Sequence, residues 1–132
     1  MTTHQGQRPG ILIIDDRQHV LEAYTQGLEE DFEVYVATTG QAGLALLQQE
    51  QTAIHLMLVD FHLPDIPGLE VLRQAKILAP RVVVVTFSGL PESSLESEAR
   101  QLGAALHLVK PFDLEPTLAL LQQLLASPGS ET

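Results

Sequence analysis

The chain is predicted to fold as an α/β domain, an open parallel sheet of five strands with helices on both faces. Three observations predict it. Short apolar runs alternate with helix-periodic stretches five times along the chain. Most of those runs lack the polar alternation of a half-exposed strand, so they read as strands covered on both sides. The 132 residues, 45% of them hydrophobic, suit one buried core and are too few for two comfortable domains.

The elements follow in order. "ILII" (11 to 14) is the first strand, four aliphatic side chains followed at once by Asp15 and Asp16, and an amphipathic stretch near 17 to 29 is the first helix. "EVYVA" (33 to 37) and the stretch 41 to 50 form the second strand and helix, and "IHLMLV" (54 to 59) with 68 to 78 the third. "RVVVVTF" (81 to 87) precedes a fourth helix near 92 to 102, and "ALHLV" (105 to 109) a fifth from 114 to 126. In that last helix Leu114, Leu118, Leu121 and Leu125 recur at helical spacing and face the sheet. Leu120 projects oppositely, Leu124 lies at the boundary, and Glu115 is the segment's only charged residue. Either an exposed apolar strip is available for a partner, or a wide core face covers Leu124 and leaves Leu120 alone. The ends, 1 to 10 and 127 to 132, read as mobile tails around a domain at 11 to 126.

Composition excludes several classes. The net charge of −10, with seven scattered Lys and Arg, argues against a nucleic-acid surface. Zero cysteines exclude a disulfide scaffold, a zinc-thiolate site and a thiol nucleophile. No run is long enough to span a bilayer, and "MTTHQGQRPG" lacks the architecture of a signal peptide, so no membrane partner and a cytoplasmic location are expected.

Chemistry is expected at the carboxyl ends of the strands, near the point where strand order reverses. Asp15 and Asp16 end strand one, Asp60 strand three, Ser88 strand four and Lys110 strand five. Any one of the Asp or Ser residues there can cap the following helix. Their coincidence is informative, because three of only six Asp and one of only two Lys stand at these ends. Two carboxylates ~4 Å apart repel by roughly 4 kcal/mol at an effective dielectric near 20. A hard cation with oxygen ligands, Mg²⁺ or Mn²⁺, compensates such a cluster, and one carboxylate then serves as a nucleophile toward phosphorus.

"ILIIDD", "VDFHLPDIPGLEVL", "VVTFSG" and "HLVKPFD", in this order and spacing, resemble the receiver domain of response regulators from two-component phosphorelays, over about residues 10 to 126. The resemblance implies a flavodoxin-like (βα)5 sheet with strand order 2-1-3-4-5. It implies that Asp60, 44 residues after Asp16, accepts a phosphoryl group. By the same resemblance Asp16 is a direct Mg²⁺ ligand, Asp15 its water-mediated neighbour, and the backbone carbonyl of His62 completes the metal site. Ser88 matches the switch hydroxyl, 22 residues before Lys110, which pairs with the phosphoryl group. Thr86 shares a strand face with Ser88 but is followed by Phe87, and it reads as a β-branched strand former. The Lys110-Pro111 peptide is expected to be cis, as only an X-Pro bond allows cheaply. "LPDIPG" is a rigid loop into helix three, with Gly68 at the family's usual place and Pro67 in the first turn.

His107 departs from the family, which most often has Tyr or Phe there, a side chain that swings inward when the hydroxyl moves. It is either a switch residue or a partly buried histidine without signalling role. His62 and Leu90, each two residues past a key position, bear on phosphoryl lifetime by the same resemblance. His4, His19 and His55 show no ligand spacing. The resemblance implies a signalling domain rather than an enzyme. It takes a phosphoryl group from a sensor histidine kinase or phosphotransfer protein and changes its helix four, strand five and helix five face for a downstream output protein or domain, or for a homodimer. A phosphorylation-independent interaction module is the alternative; a metal-dependent aspartyl phosphatase is a distant third, because such enzymes usually carry a second acid two residues after the nucleophile and position 62 is His. Nothing after residue 126 resembles an output domain, so the chain works through a partner or is excised from a longer one.

Overall fold

In a computed structural model, which describes residues 8–110 and 113–126, five parallel strands form one sheet in the order β2-β1-β3-β4-β5. The expected cis peptide before Pro111 and the tails at 1–7 and 127–132 lie outside the described residues. The elements are β1 (Gly10–Ile14), α1 (Gln18–Leu28), β2 (Glu33–Ala37), α2 (Gly40–Gln49), β3 (Ile54–Asp60), α3 (Gly68–Leu78), β4 (Val83–Ser88), α4 (Ser93–Gln101), β5 (Leu106–Val109) and α5 (Leu114–Ala126). Residues 8–10, expected in the tail, join the folded body: Gly10 begins β1, and Arg8 bonds the Glu29 carbonyl and the Glu33 carboxylate.

Strand alternation divides the core into two layers. Leu12 and Ile14 of β1, Met57 and Val59 of β3, and Val84 of β4 pack with Leu44, Leu47, Val71, Leu72 and Ala99 from α2, α3 and α4. Ile11, Ile13, Leu56, Leu58, Val85 and Phe87 face the other way, against Leu21, Leu28 and Leu121 from α1 and α5. The unbroken apolar runs mark the three central strands, whose residues are almost all buried. β2 and β5 lie at the sheet edges and stay partly exposed.

On α5, Leu114, Leu118, Leu124 and Leu125 all pack against the second layer and Leu121 is fully buried. Leu120 is left exposed by itself, so the wide core face is the arrangement present and the apolar strip is not. No helix among the described residues is long and apolar enough to cross a membrane.

Candidate functional site

In this strand order the chain leaves β1 to one side for β2 and returns on the other as β3, opening a crevice between their carboxyl ends. Asp15 stands at one lip. Its N–H donates to the Ala37 carbonyl at 3.1 Å, extending the β1–β2 ladder one residue past the strand, and its side chain is fully buried. Asp60 is the last residue of β3 and is buried. Asp16 is exposed, yet one carboxylate oxygen each from Asp15, Asp16 and Asp60 lie within 4.8 Å of one another.

Lys110 reaches this cluster from the opposite edge of the sheet. Its N–H donates to the Ser88 carbonyl at 2.7 Å, which fixes its backbone beside the end of β4. From there Nζ approaches Asp15 Oδ2 at 3.1 Å and Asp60 Oδ2 at 3.4 Å, and it sits 4.7 Å from the centre of the Phe87 ring. A second cation, Arg17, spreads its guanidinium across both oxygens of Asp15 at 3.3 Å each, and its N–H donates to Asp15 Oδ1 at 3.0 Å.

Burial is the main cause that pushes the Asp60 carboxyl up to about 6. The His62 N–H, donating to Asp60 Oδ1 at 3.0 Å, opposes it, and repulsion from Asp15 adds to it. Three carboxylates, two of them buried, thus face the two cations Lys110 and Arg17, and the ligand atoms are all hard oxygens. That donor set fits a divalent cation such as Mg²⁺.

The capping alternative fails for Asp16, Asp60 and Ser88. The N-caps of α1, α3 and α4 are Arg17, Pro67 and Glu92, none of which makes a side-chain capping bond. Gly68 is required where it stands: a Cβ there would meet the Asp60 carbonyl oxygen at 2.2 Å, so the first turn of α3 abuts the strand end directly.

Ser88 and Thr86, on the other layer of the sheet, meet at one imidazole. Ser88 Oγ lies 2.7 Å from the Leu90 carbonyl oxygen and 3.1 Å from His107 Nε2, and Thr86 Oγ1 lies 2.8 Å from His107 Nδ1. The His107 ring stacks on Phe61 at 4.5 Å between centroids, with its side chain 4% exposed. Burial lowers its pKa, against the pull of Glu96 and Glu92. Thr86 is therefore more than a strand former. The His62 side chain meets Glu92 Oε2 at 2.7 Å, joining the β3–α3 and β4–α4 loops. Leu90 offers its carbonyl to Ser88 while its side chain is exposed. His19 and His55 are exposed and belong to no metal-ligand cluster among the described residues; His4 lies outside them.

Arg17, Thr86, Phe61 and Glu92 were not legible as site residues. Arg17 had only its adjacency to the paired aspartates as a signal. Glu92 had none, because its partner lies 30 residues away in sequence.

A 2-1-3-4-5 parallel sheet with an acidic cluster and a lysine at its carboxyl edge defines a receiver-type signalling domain. The family model described as response regulator receiver domain matches residues 11–122, and the chain belongs to that family, which serves two-component signalling. Over 106 residues it is 27% identical to the sporulation initiation phosphotransferase F of Bacillus subtilis (strain 168), covering 80% of this chain and 84% of that one. Other curated relatives are longer, and the chain spans only 48% or 24% of two of them. A CheY-like receiver domain protein from Methanospirillum hungatei JF-1 superposes with a TM-score of 0.87 at 30% identity, over 94% of this chain and 98% of that one. A response regulator from Burkholderia pseudomallei, solved with a phosphorylated aspartic acid, a calcium ion and citrate, superposes with a TM-score of 0.78 at 25% identity, over 91% and 75%.

Proposed function

We propose that this chain accepts a phosphoryl group on Asp60 from the phosphohistidine of a sensor histidine kinase or phosphotransfer protein, and thereby switches the surface it offers to an output protein or domain. The observation that carries this reading is the placement of Asp60: a buried carboxylate beside Asp15 and Asp16, with the Lys110 ammonium 3.4 Å from Oδ2. A carboxylate oxygen of Asp60 attacks phosphorus, the P–N bond of the donor breaks, and the electron pair leaves with the donor imidazole. Lys110, already between Asp15 and Asp60, pairs with a phosphoryl oxygen, and the His62 N–H holds Asp60 Oδ1 so that the other oxygen is the one presented.

Asp15, Asp16, Asp60 and the His62 backbone carbonyl would hold Mg²⁺, with Mn²⁺ as a substitute. When bound, the ion offsets the charge of the carboxylates and of the transferring group. The calcium ion and phosphorylated aspartate of the Burkholderia relative support this assignment by analogy. Ser88 is the hydroxyl that turns toward the phosphoryl group, and His107 lies between it and the α4–β5–α5 face. A domain that meets the kinase's phosphorylated histidine works in the cytoplasm. Homodimerisation through α4–β5–α5 would rest on contacts other than the apolar strip, since Leu120 is the only large hydrophobic residue of α5 left exposed.

Incubation with acetyl phosphate and Mg²⁺ tests the proposal. A hydroxylamine-labile adduct is expected by intact mass, and Asp60→Asn abolishes it. An inert wild-type protein would instead favour the phosphorylation-independent module.

A further inference from the structure

A neutral imidazole carries one N–H and one bare nitrogen, and which is which follows from its neighbours. Ser88 Oγ lies 2.7 Å from the Leu90 carbonyl oxygen. Two oxygens at that separation need a proton between them, and a carbonyl has none, so the single Ser88 proton is committed to Leu90. The 3.1 Å contact between Ser88 Oγ and His107 Nε2 must then take its proton from the ring. Nδ1 is consequently bare, and the Thr86 hydroxyl donates to it at 2.8 Å. Burial lowers the His107 pKa against the pull of Glu96, whose Oε2 lies 3.7 Å from Nε2, and a neutral ring with its proton on Nε2 closes the count. The result is a chain of donors running one way, from the Thr86 hydroxyl through Nδ1 and Nε2–H to the Ser88 hydroxyl and the Leu90 carbonyl.

We propose that Thr86 and His107 form a positioning relay that holds the Ser88 hydroxyl with its proton turned to Leu90, away from Asp60. Among the described residues, Ser88 Oγ bonds Leu90 and His107 and does not bond Asp60. Thr86 and Ser88 are both fully buried, so neither hydroxyl has water as an alternative partner. The stacking of the ring on Phe61 fixes its plane. His107 is already inside, and its coupling to Ser88 is a hydrogen bond rather than a space that opens when the hydroxyl leaves. Turning Ser88 toward a phosphoryl oxygen breaks its bond to Leu90, and the relay opposes that turn. This inference rests on the reading of Asp60 as phospho-acceptor and Ser88 as its hydroxyl.

Two measurements test it. Nitrogen-15 chemical shifts of His107 in the unphosphorylated protein near pH 7.5 are expected to show the Nε2–H tautomer. Thr86→Val keeps the shape and removes the donor, and is expected to raise the initial rate of phosphorylation by acetyl phosphate and Mg²⁺ about fivefold, the worth of one net hydrogen bond. Thr86→Ser, which keeps the donor, is expected to restore the wild-type rate. An Nδ1–H tautomer in the wild type, or equal rates for wild type and Thr86→Val, would overturn the relay. A wild-type chain with the Nε2–H tautomer that takes no phosphoryl group on Asp60 would uphold the hydrogen-bond chain and sink the reading of the site instead.

Discussion

Asp15 is fully buried; Arg17, two residues away in sequence, spans both of its oxygens, and Lys110, 95 residues away, shares Oδ2 with it. Arg17 therefore competes for the same carboxylate that Mg²⁺ needs. Removing it leaves the acidic cluster with one neighbouring cation fewer, and Arg17→Ala is expected to tighten Mg²⁺ binding by about 1 kcal/mol, roughly fivefold, after allowance for solvent screening at a half-exposed guanidinium. Calorimetric titration at constant ionic strength checks this, and an unchanged or weaker affinity would show that Arg17 braces Asp15 without competing. At this scale Asp15, Asp16, Asp60, Ser88 and Lys110 were legible because a strand end in an α/β sheet is a position that sequence pattern can locate. Arg17, Thr86 and Glu92 act through rotamers and loop returns, and neither hydropathy nor spacing encodes those. Thr86 reads from sequence as a strand former because its β-branched side chain fits a strand equally well with or without a partner for its hydroxyl.

The β3–α3 loop does more than deliver Asp60. Asp65 within it sends its two carboxylate oxygens to the N–H groups of Gly40 and Gln41, each at 2.8 Å, so the first turn of α2 is capped from a different connection, with Thr39 capping Ala42 locally. Burial alone would raise the Asp65 pKa, but the N–H donors of Gln41 and Gly40 lead the causes that lower it overall. The sign follows: with the folded value below the ordinary one near 4, the stabilisation is present above that value and is lost as pH falls through the lowered one. Asp65→Ala is expected to cost about 1 kcal/mol at neutral pH, or roughly 3 °C in Tm, with the difference from wild type shrinking below about pH 4. Thermal melts across pH read it, and a difference that persists unchanged into acid would assign the effect to something other than the carboxylate. Element bounds were legible where apolar period and breakers agree, as in α3 and α5, which run over the expected residues 68–78 and 114–126. β4 starts two residues later than its apolar run because the Val82 N–H closes a turn on the Ala79 carbonyl, a local bond to which hydropathy is blind. Leu124, at the boundary of the α5 face, was decided by the breadth of the core beneath it.

Over the whole molecule, charge and topology work against each other. The chain carries a net −10, and strand order concentrates three carboxylates at one end of the sheet. A cation that binds only the folded arrangement stabilises it by mass action, about 2.7 kcal/mol at a concentration 100 times its dissociation constant. Mg²⁺ is accordingly expected to raise Tm by several degrees over Na⁺ at matched ionic strength, and Asp60→Ala to remove most of that rise. Equal melting in both salts would mean that the cluster does not gather around an ion. The class of fold was legible because five βα units leave few ways to bury their runs, whereas the partition of function between the two layers was not. Alternation sends Phe87 toward α1 and α5, beneath the Lys110 ammonium, while Ser88 and Thr86 share the opposite layer with His107. A deletion or insertion of one residue inside β4 would exchange ring and hydroxyl across the sheet while leaving the strand just as hydrophobic. Such a variant would fold its core from the wrong register or not at all, so length changes in this region are expected to survive only in the connections, and the stretch 83–88 marks where the domain does not tolerate slippage.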